Sequence, residues 1–372
     1  MKILALAFVI TASVALAQQR PTFDDWDKNK DQKLSKDELP ENARRNFNRV
    51  DTNNDGLISR EEHNAFLNRR RQAKRPASYP EITIKRDLNY AGNDNPRQAL
   101  DLLLPKKRTT QEPLPVVVFI HGGAWRSGNK NSGIGRLAPL VNDGDYAGVS
   151  VAYRLTAEAQ WPSQIHDCKA AIRWIRANAK QHNLDPEKIA VWGSSAGGHL
   201  VSMLGVSGGV GSLEGKIGNH LDQSSRVSCV INFFGPSELL TMNDHPSNID
   251  HDAPESPESR LIGGAIQENK AKARAASPIT YVTRDDAPFL HVHGTADKLV
   301  PYPQSVDLNK KLVAAGVNSK LVTVTDGGHG NFGNAGEKIQ KLVQAFLAKH
   351  LRGEKGEAID DLTLDSRGKD RD

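Results

Sequence analysis

Lys188-Ile189-Ala190-Val191-Trp192-Gly193-Ser194-Ser195-Ala196-Gly197-Gly198-His199 reads as a strand, a tight turn and the start of a helix. Lys188–Trp192 is a buried strand candidate, its apolar run Ile189-Ala190-Val191-Trp192 unbroken as in a strand covered on both faces. Gly193-Ser194-Ser195-Ala196-Gly197 then has the spacing G-x-S-x-G, and helical patterning begins near Gly198. In that context the motif is a nucleophile elbow. A strained turn holds the serine hydroxyl out at the top of the sheet, and small residues flank it because the backbone crowds there. The five residues alone are weak evidence; the flanking strand and helix give them force. Ser194 also carries a hydroxyl, but its spacing to the glycines is wrong.

From about Pro80 the chain alternates strand-like and helix-like segments around this turn. Val116–Ile120, Ala147–Tyr153, Val227–Phe234, Phe289–Val292 and Lys320–Val324 are further strand candidates. Helical patterns cover about Ser163–His182, Leu308–Ala315 and Ile339–Leu351; in the first, Ile165, Cys168, Ala171, Ile172 and Ile175 form one apolar stripe. Such alternation predicts an α/β fold, a mainly parallel sheet with helices on both faces. Residues 236–276 lack sheet patterning and are expected to be a cap insertion that shapes the pocket.

A serine becomes a useful nucleophile only beside a base, and the base needs an orienting acid. After an elbow of this type the acid precedes the histidine in the chain. His329 lies in Asp326-Gly327-Gly328-His329-Gly330-Asn331, a glycine-rich loop just after the last strand candidate, where it packs no core. Asp297 follows the Phe289–Val292 strand in His293-Gly294-Thr295-Ala296-Asp297. Asp285 and Asp286 fall at the wrong end of that strand, and Asp326 is too near His329. The expected triad is Ser195, Asp297 and His329. His291 and His293 alternate within a strand and read as core or supporting residues. An attacked carbonyl also needs N–H donors for its developing oxyanion, and His121-Gly122-Gly123-Ala124-Trp125 follows a strand where such a loop belongs.

These motifs, in this order over residues 80–352, resemble the hormone-sensitive-lipase-like branch of α/β-hydrolases. The residues 121–125 resemble its His-Gly-Gly-Gly loop, with Ala124 in place of the third glycine. The resemblance implies that Gly123, Ala124 and Ala196 supply the oxyanion donors and that His121 holds the loop. Asp185–His199, Pro257–Gly264 and Ser277–Val282 narrow the likeness to the bacterial feruloyl/acetylxylan esterases. Members of that group cleave acetyl or hydroxycinnamoyl groups from plant polysaccharides, or small carboxylic esters. A peptidase of the same fold shares the triad, and a non-catalytic calcium-binding scaffold is the reading from another class.

The N-terminal region has a different chemistry. Asp27, Asn29, Asp31, Lys33, Ser35 and Glu38 repeat the spacing of Asp51, Asn53, Asp55, Leu57, Ser59 and Glu62. Oxygen side chains at loop positions 1, 3, 5 and 9, a backbone carbonyl at 7 and Glu at 12 suit calcium. Residues 18–70 thus resemble a pair of EF-hands, a small α-helical domain. The second loop has Gly56 at the sharp turn; the first has Gln32 there, so a weaker or strained site is expected. Calcium is expected to serve structure or docking, with a docking partner for this module in view, and the ester chemistry needs no cofactor.

Lys2, the apolar stretch Ile3–Ala17 and Gln18 have the layout of a secretory signal over residues 1–17, which implies a secreted or periplasmic protein. The stretch is shorter than the ~20 residues of a spanning helix, so no stable membrane insertion is expected. Lys+Arg 49 against Asp+Glu 44 leaves +5, and the basic run Arg69–Arg71 and Lys74-Arg75 has no stacked aromatics beside it. It reads as a solvated linker, residues 71–79, and no nucleic-acid partner is expected. Cys168 and Cys229 permit one disulfide or two buried thiols. Residues 353–372, charged and poor in apolar side chains, are expected to form a disordered tail.

Overall fold

The computed structural model describes residues 22–44, 46–53, 55–66, 79–355 and 360–367. The expected signal segment, residues 1–17, lies outside them, as do residues 71–78 of the expected linker. The chain divides into two compact units, residues 1–78 and 79–372. No helix among the described residues is long and apolar enough to cross a membrane.

In the first unit, β1 (Lys33–Leu34) pairs antiparallel with β2 (Ile58–Ser59), Leu34 opposite Ile58. Short helices Phe23–Trp26, Glu41–Arg44 and Phe47–Val50 flank this ladder. Its small core joins Phe23, Leu34, Leu39, Phe47, Val50 and Ile58.

The second unit is built on a nine-stranded sheet: β3 (Ile82–Asn89), β4 (Ala99–Pro105), β5 (Leu114–Ile120), β6 (Ala147–Val151), β7 (Leu184–Ser194), β8 (Cys229–Phe233), β9 (Phe289–Gly294), β10 (Ser319–Thr325) and β11 (Leu362–Asp365). Their spatial order is β11-β10-β9-β8-β7-β5-β6-β4-β3, parallel from β11 to β6 and antiparallel through β4 and β3. Successive residues of β5 enter opposite layers. Val116, Val118 and Ile120 face the layer holding helices Ser163–Ala177 and Ala196–Val206; Val117 and Phe119 face that of Asn131–Asn142 and Gly336–Arg352. Both faces being covered, the strand is a continuous apolar run, each buried Val contributing about 1.5–3 kcal/mol. Cys168 belongs to one layer and Cys229 to the other, and both are free thiols. The disulfide alternative falls away.

Residues 360–367 correct the expectation of a disordered tail over 353–372. Val322–Thr325 of β10 lie in register with Leu362–Asp365, and Leu364 is buried on the edge. A short amphipathic segment suffices there because β10 leaves an edge to pair. The helix Asn131–Asn142 had no sequence signal, since Gly133, Gly135 and Pro139 argue against one. Gly133 is needed: a Cβ there would collide with Ser150 and Phe119. Residues 236–276 hold only short helical turns, among them Leu239–Asp244, Pro257–Ile262 and Lys270–Ala275.

Candidate active site

Ser195 sits between β7 and the helix Ala196–Val206, at φ 56 and ψ −125. Such a conformation costs a non-glycine residue roughly 1–3 kcal/mol and survives only where the surroundings fix it. Here the Ser195 N–H donates to Phe233 O at 2.9 Å and the Ser195 carbonyl accepts the first helical bond, from His199 N–H. A Cβ at Gly193 would strike the Gly197 carbonyl, and one at Gly197 would strike Ile120 O and His121. The glycines are dictated by backbone packed on backbone.

The same packing sets the loop 121–125 against the elbow. A Cβ at Gly122 would lie 2.7 Å from Ser194 O. Gly123, Ala124 and Trp125 follow with φ 117, 54 and 54, a run of left-handed residues that turns successive amides to one side. Among the described residues, no protein acceptor takes the N–H of Gly123, Ala124 or Ala196. His121 stacks on Tyr153 with centroids 4.3 Å apart, while Tyr153 Oη donates to the His121 carbonyl at 3.0 Å. Burial pushes its imidazole down to about 4, so it is neutral near pH 7.

Trp125 anchors this loop to the helix Ala196–Val206. Its Nε1–H donates to His199 Nδ1 at 3.2 Å, and His199 Nε2 lies 2.6 Å from Ala276 O. An indole can only donate and a carbonyl only accept, which assigns His199 as the neutral Nε2–H tautomer. Burial pushes His199 down to about 4 as well. The sequence showed His199 only as part of a motif, without this bridging contact.

Asp297 lies on the loop after β9, its side chain fully buried. Its Oδ1 accepts the amides of Leu299 (2.8 Å) and Val300 (3.0 Å). Its Oδ2 stands 2.7 Å from His329 Nδ1 and 3.3 Å from His293 Nε2. Burial opposes the charge on Asp297, but the hydrogen bonds from His293 and His329 outweigh it and hold the carboxyl well below the usual carboxylate range. His293 is itself fixed by Ser305 Oγ on Nδ1 (2.8 Å) and Val300 O at Nε2 (3.0 Å). With Nδ1 taken by the carboxylate, the partly exposed His329 presents Nε2 as its free nitrogen. The Phe234 ring lies 4.4 Å from the His329 ring, and the preceding Phe233 carbonyl holds the Ser195 amide. Ser195 and His329 therefore flank one dipeptide.

In the N-terminal unit, Asp27 carboxylate oxygens accept Asp31 N–H and Gln32 N–H, Asn29 Oδ1 accepts Asp31 N–H, and Asp31 Oδ1 accepts Lys33 N–H. Glu38 closes the loop onto Lys28 N–H and Ser35. The second loop repeats this: Asp51 Oδ2 accepts Gly56 N–H, Asn53 accepts Asp55 N–H, Asp55 accepts Leu57 N–H, and Glu62 closes onto Thr52 and Ser59. Gln32 and Gly56 both adopt positive φ, 65 and 82, so the glutamine carries strain the glycine escapes. Among the described residues no three His, Cys, Asp or Glu side chains gather closely enough to hold a metal. Asp51 Oδ1, however, is buried with no hydrogen-bond partner among the described residues.

The crossed parallel sheet and the serine turn at the end of its central strand are those of an α/β-hydrolase fold. The BD-FAE family model matches residues 100–312, and the chain belongs to that family. Over 228 residues it is 32% identical to Esterase LipC of Mycobacterium tuberculosis (strain ATCC 25618 / H37Rv), covering 59% of this chain and 53% of LipC. It is similar to the solved structure of a truncated form of carbohydrate esterase from gut microbiota, at 34% identity and TM-score 0.67, over 74% of this chain and 99% of that one. A bifunctional GH43-CE of Bacteroides eggerthii is 35% identical with TM-score 0.65, over 72% of this chain and 35% of that one. The chain spans about half the length of the curated relatives it matches. Those relatives are named esterases and carboxylic ester hydrolases, and carboxylic ester hydrolysis is the chemistry of the class.

Proposed function

We propose that this protein is a secreted or periplasmic serine carboxylesterase that removes acetyl or feruloyl groups from polysaccharides or cleaves short-chain esters. The observation that carries the reading is the 2.7 Å contact of Asp297 with His329 Nδ1, together with a serine held at φ 56 at the end of β7. His329 Nε2 takes the Ser195 hydroxyl proton as Oγ bonds to the ester carbonyl carbon. The amides of Gly123, Ala124 and Ala196 bind the carbonyl oxygen as it becomes negative. Collapse of the tetrahedral adduct breaks the bond to the alcohol oxygen, which leaves with the proton from His329. Water, deprotonated by the same imidazole, then attacks the acyl-serine; the acid departs and Ser195 regains its proton. Asp297 stays ionised and orients the ring throughout. The carbohydrate esterase likeness supports a polysaccharide-linked ester, and the layout of residues 1–17 supports export.

The two N-terminal loops are proposed to hold calcium as EF-hands. Asp27, Asn29, Asp31, Lys33 O, Ser35 and Glu38 would hold one ion, and Asp51, Asn53, Asp55, Leu57 O, Ser59 and Glu62 the other. The orphaned Asp51 Oδ1 fits this, being an acceptor that a cation satisfies. Calcium would neutralise the loop carboxylates and take no part in ester cleavage; a docking partner for this module belongs to the same proposal.

The test is hydrolysis of p-nitrophenyl acetate, butyrate and octanoate, methyl ferulate and acetylated xylan by wild type, Ser195→Ala and Asp297→Asn. The expected loss in kcat is about three orders of magnitude or more for each variant. A Ser195→Ala protein as active as wild type sinks the reading.

A further inference from the structure

The segment after β11 is attached to the loop that carries His329. Ser366 N–H donates to Thr325 O at 3.2 Å, and Ser366 O accepts Asn334 N–H at 2.9 Å. Asn334 Nδ2 donates to Arg367 O at 3.1 Å. The Arg367 guanidinium meets Asp326 at 2.9 Å, a pair more than half exposed on both sides and so weak by itself. Gly333 passes so close beneath the Ser366 carbonyl that a Cβ there would collide with it. Both ends of the stretch 325–334 are thereby tied to one dipeptide, Ser366-Arg367, and His329 lies between them. The stretch contains Gly327, Gly328, Gly330 and Gly333, which leave an unbraced loop a wide choice of backbone states.

We propose that residues 362–367 act as a positioning strap for His329, closing its loop at both ends so that Nδ1 stays on the Asp297 carboxylate. The β10–β11 ladder fixes the strap to the sheet, and the backbone bonds of Ser366 and Asn334 pass that rigidity to the loop. Without the strap the imidazole spends time away from Asp297. It then loses its orientation. This inference rests on the reading of His329 as the catalytic base.

The experiment compares the full chain with a form ending at Gly353, with the double variant Asn334→Asp/Ser366→Pro, and with His329→Ala. The double variant removes the Nδ2 donor and the Ser366 N–H while keeping β11, and it decides the matter if the shortened form does not fold. Steady-state kinetics on p-nitrophenyl acetate are measured well below each protein's melting temperature. The expected result is a kcat lower by about tenfold with KM within about twofold. A lower melting temperature with unchanged kcat overturns the strap, showing stability alone. Full activity in His329→Ala overturns the base assignment, and the strap inference with it.

Discussion

At the scale of single residues, much of the site is held by histidines that stay neutral. His199 accepts from Trp125 and donates to Ala276, so a group that does both jobs can replace it. His199→Leu keeps the volume but strands a buried indole N–H and a carbonyl, each costing about 1–3 kcal/mol. It is expected to loosen the loop 121–125 and lower kcat by roughly tenfold, with His199→Gln recovering most of the loss. Equal activity of the two variants counts against the anchor. The same burial has a pH signature. His121 and His199 sit at about 4 and His291 at about 3, all by burial, whereas an unfolded chain returns each to about 6.5. Unfolding binds protons between those values, so the stability from burying neutral rings is complete above about pH 6.5 and lost as pH falls toward 4. The melting temperature should drop across that window, and His199→Gln should flatten the drop. A melting temperature that is level from pH 7 to 4 contradicts the assignment.

At the scale of elements, the decisive contacts are backbone against backbone, and these divide what could be read from sequence from what could not. The elbow was legible because its crowding demands Gly193 and Gly197 at fixed spacing, and the parallel strands because burial on both faces leaves unbroken apolar runs such as Val116–Ile120. Asp297 and His329 were legible from their loops at strand ends. The helix Asn131–Asn142 was not, because Gly133 answers to Ser150 and Phe119, which lie far away in sequence. β11 was missed because an edge strand buries little, and its ladder partner β10 supplies what its composition lacks. Nor could the strap be seen, since its bonds run through Ser366 and Asn334 main-chain atoms. Gly197→Ala tests the crowding argument: its Cβ would collide with Ile120 O and His121, both rigid backbone. Displacing the elbow from the loop should cut kcat/KM by about a hundredfold or more while far-ultraviolet dichroism is retained. Near-wild-type activity shows that the elbow can relax.

At the scale of the whole molecule, the chain forms two compact units with separate cores. Among the described residues, the N-terminal core is six buried side chains around a two-residue ladder, a small core for stability on hydrophobic burial alone. Among the described residues, no donor reaches the buried Asp51 Oδ1. A bound cation would satisfy that oxygen, and by linkage it would stabilise the folded form. In the second unit, by contrast, the Asp297 carboxylate is already satisfied by amides and imidazoles. Calcium is therefore expected to raise one thermal transition of the full chain by about 10 °C or more and leave the other in place. Asp51→Ala should abolish most of that rise and Asp27→Ala less, because Gln32 strains the first loop. The rate on p-nitrophenyl acetate should be the same with calcium as with a chelator. Calorimetry and the ester assay on the same samples decide it: a chelator that lowers kcat without moving either transition would place calcium in the chemistry, and two transitions indifferent to calcium would remove it from the protein.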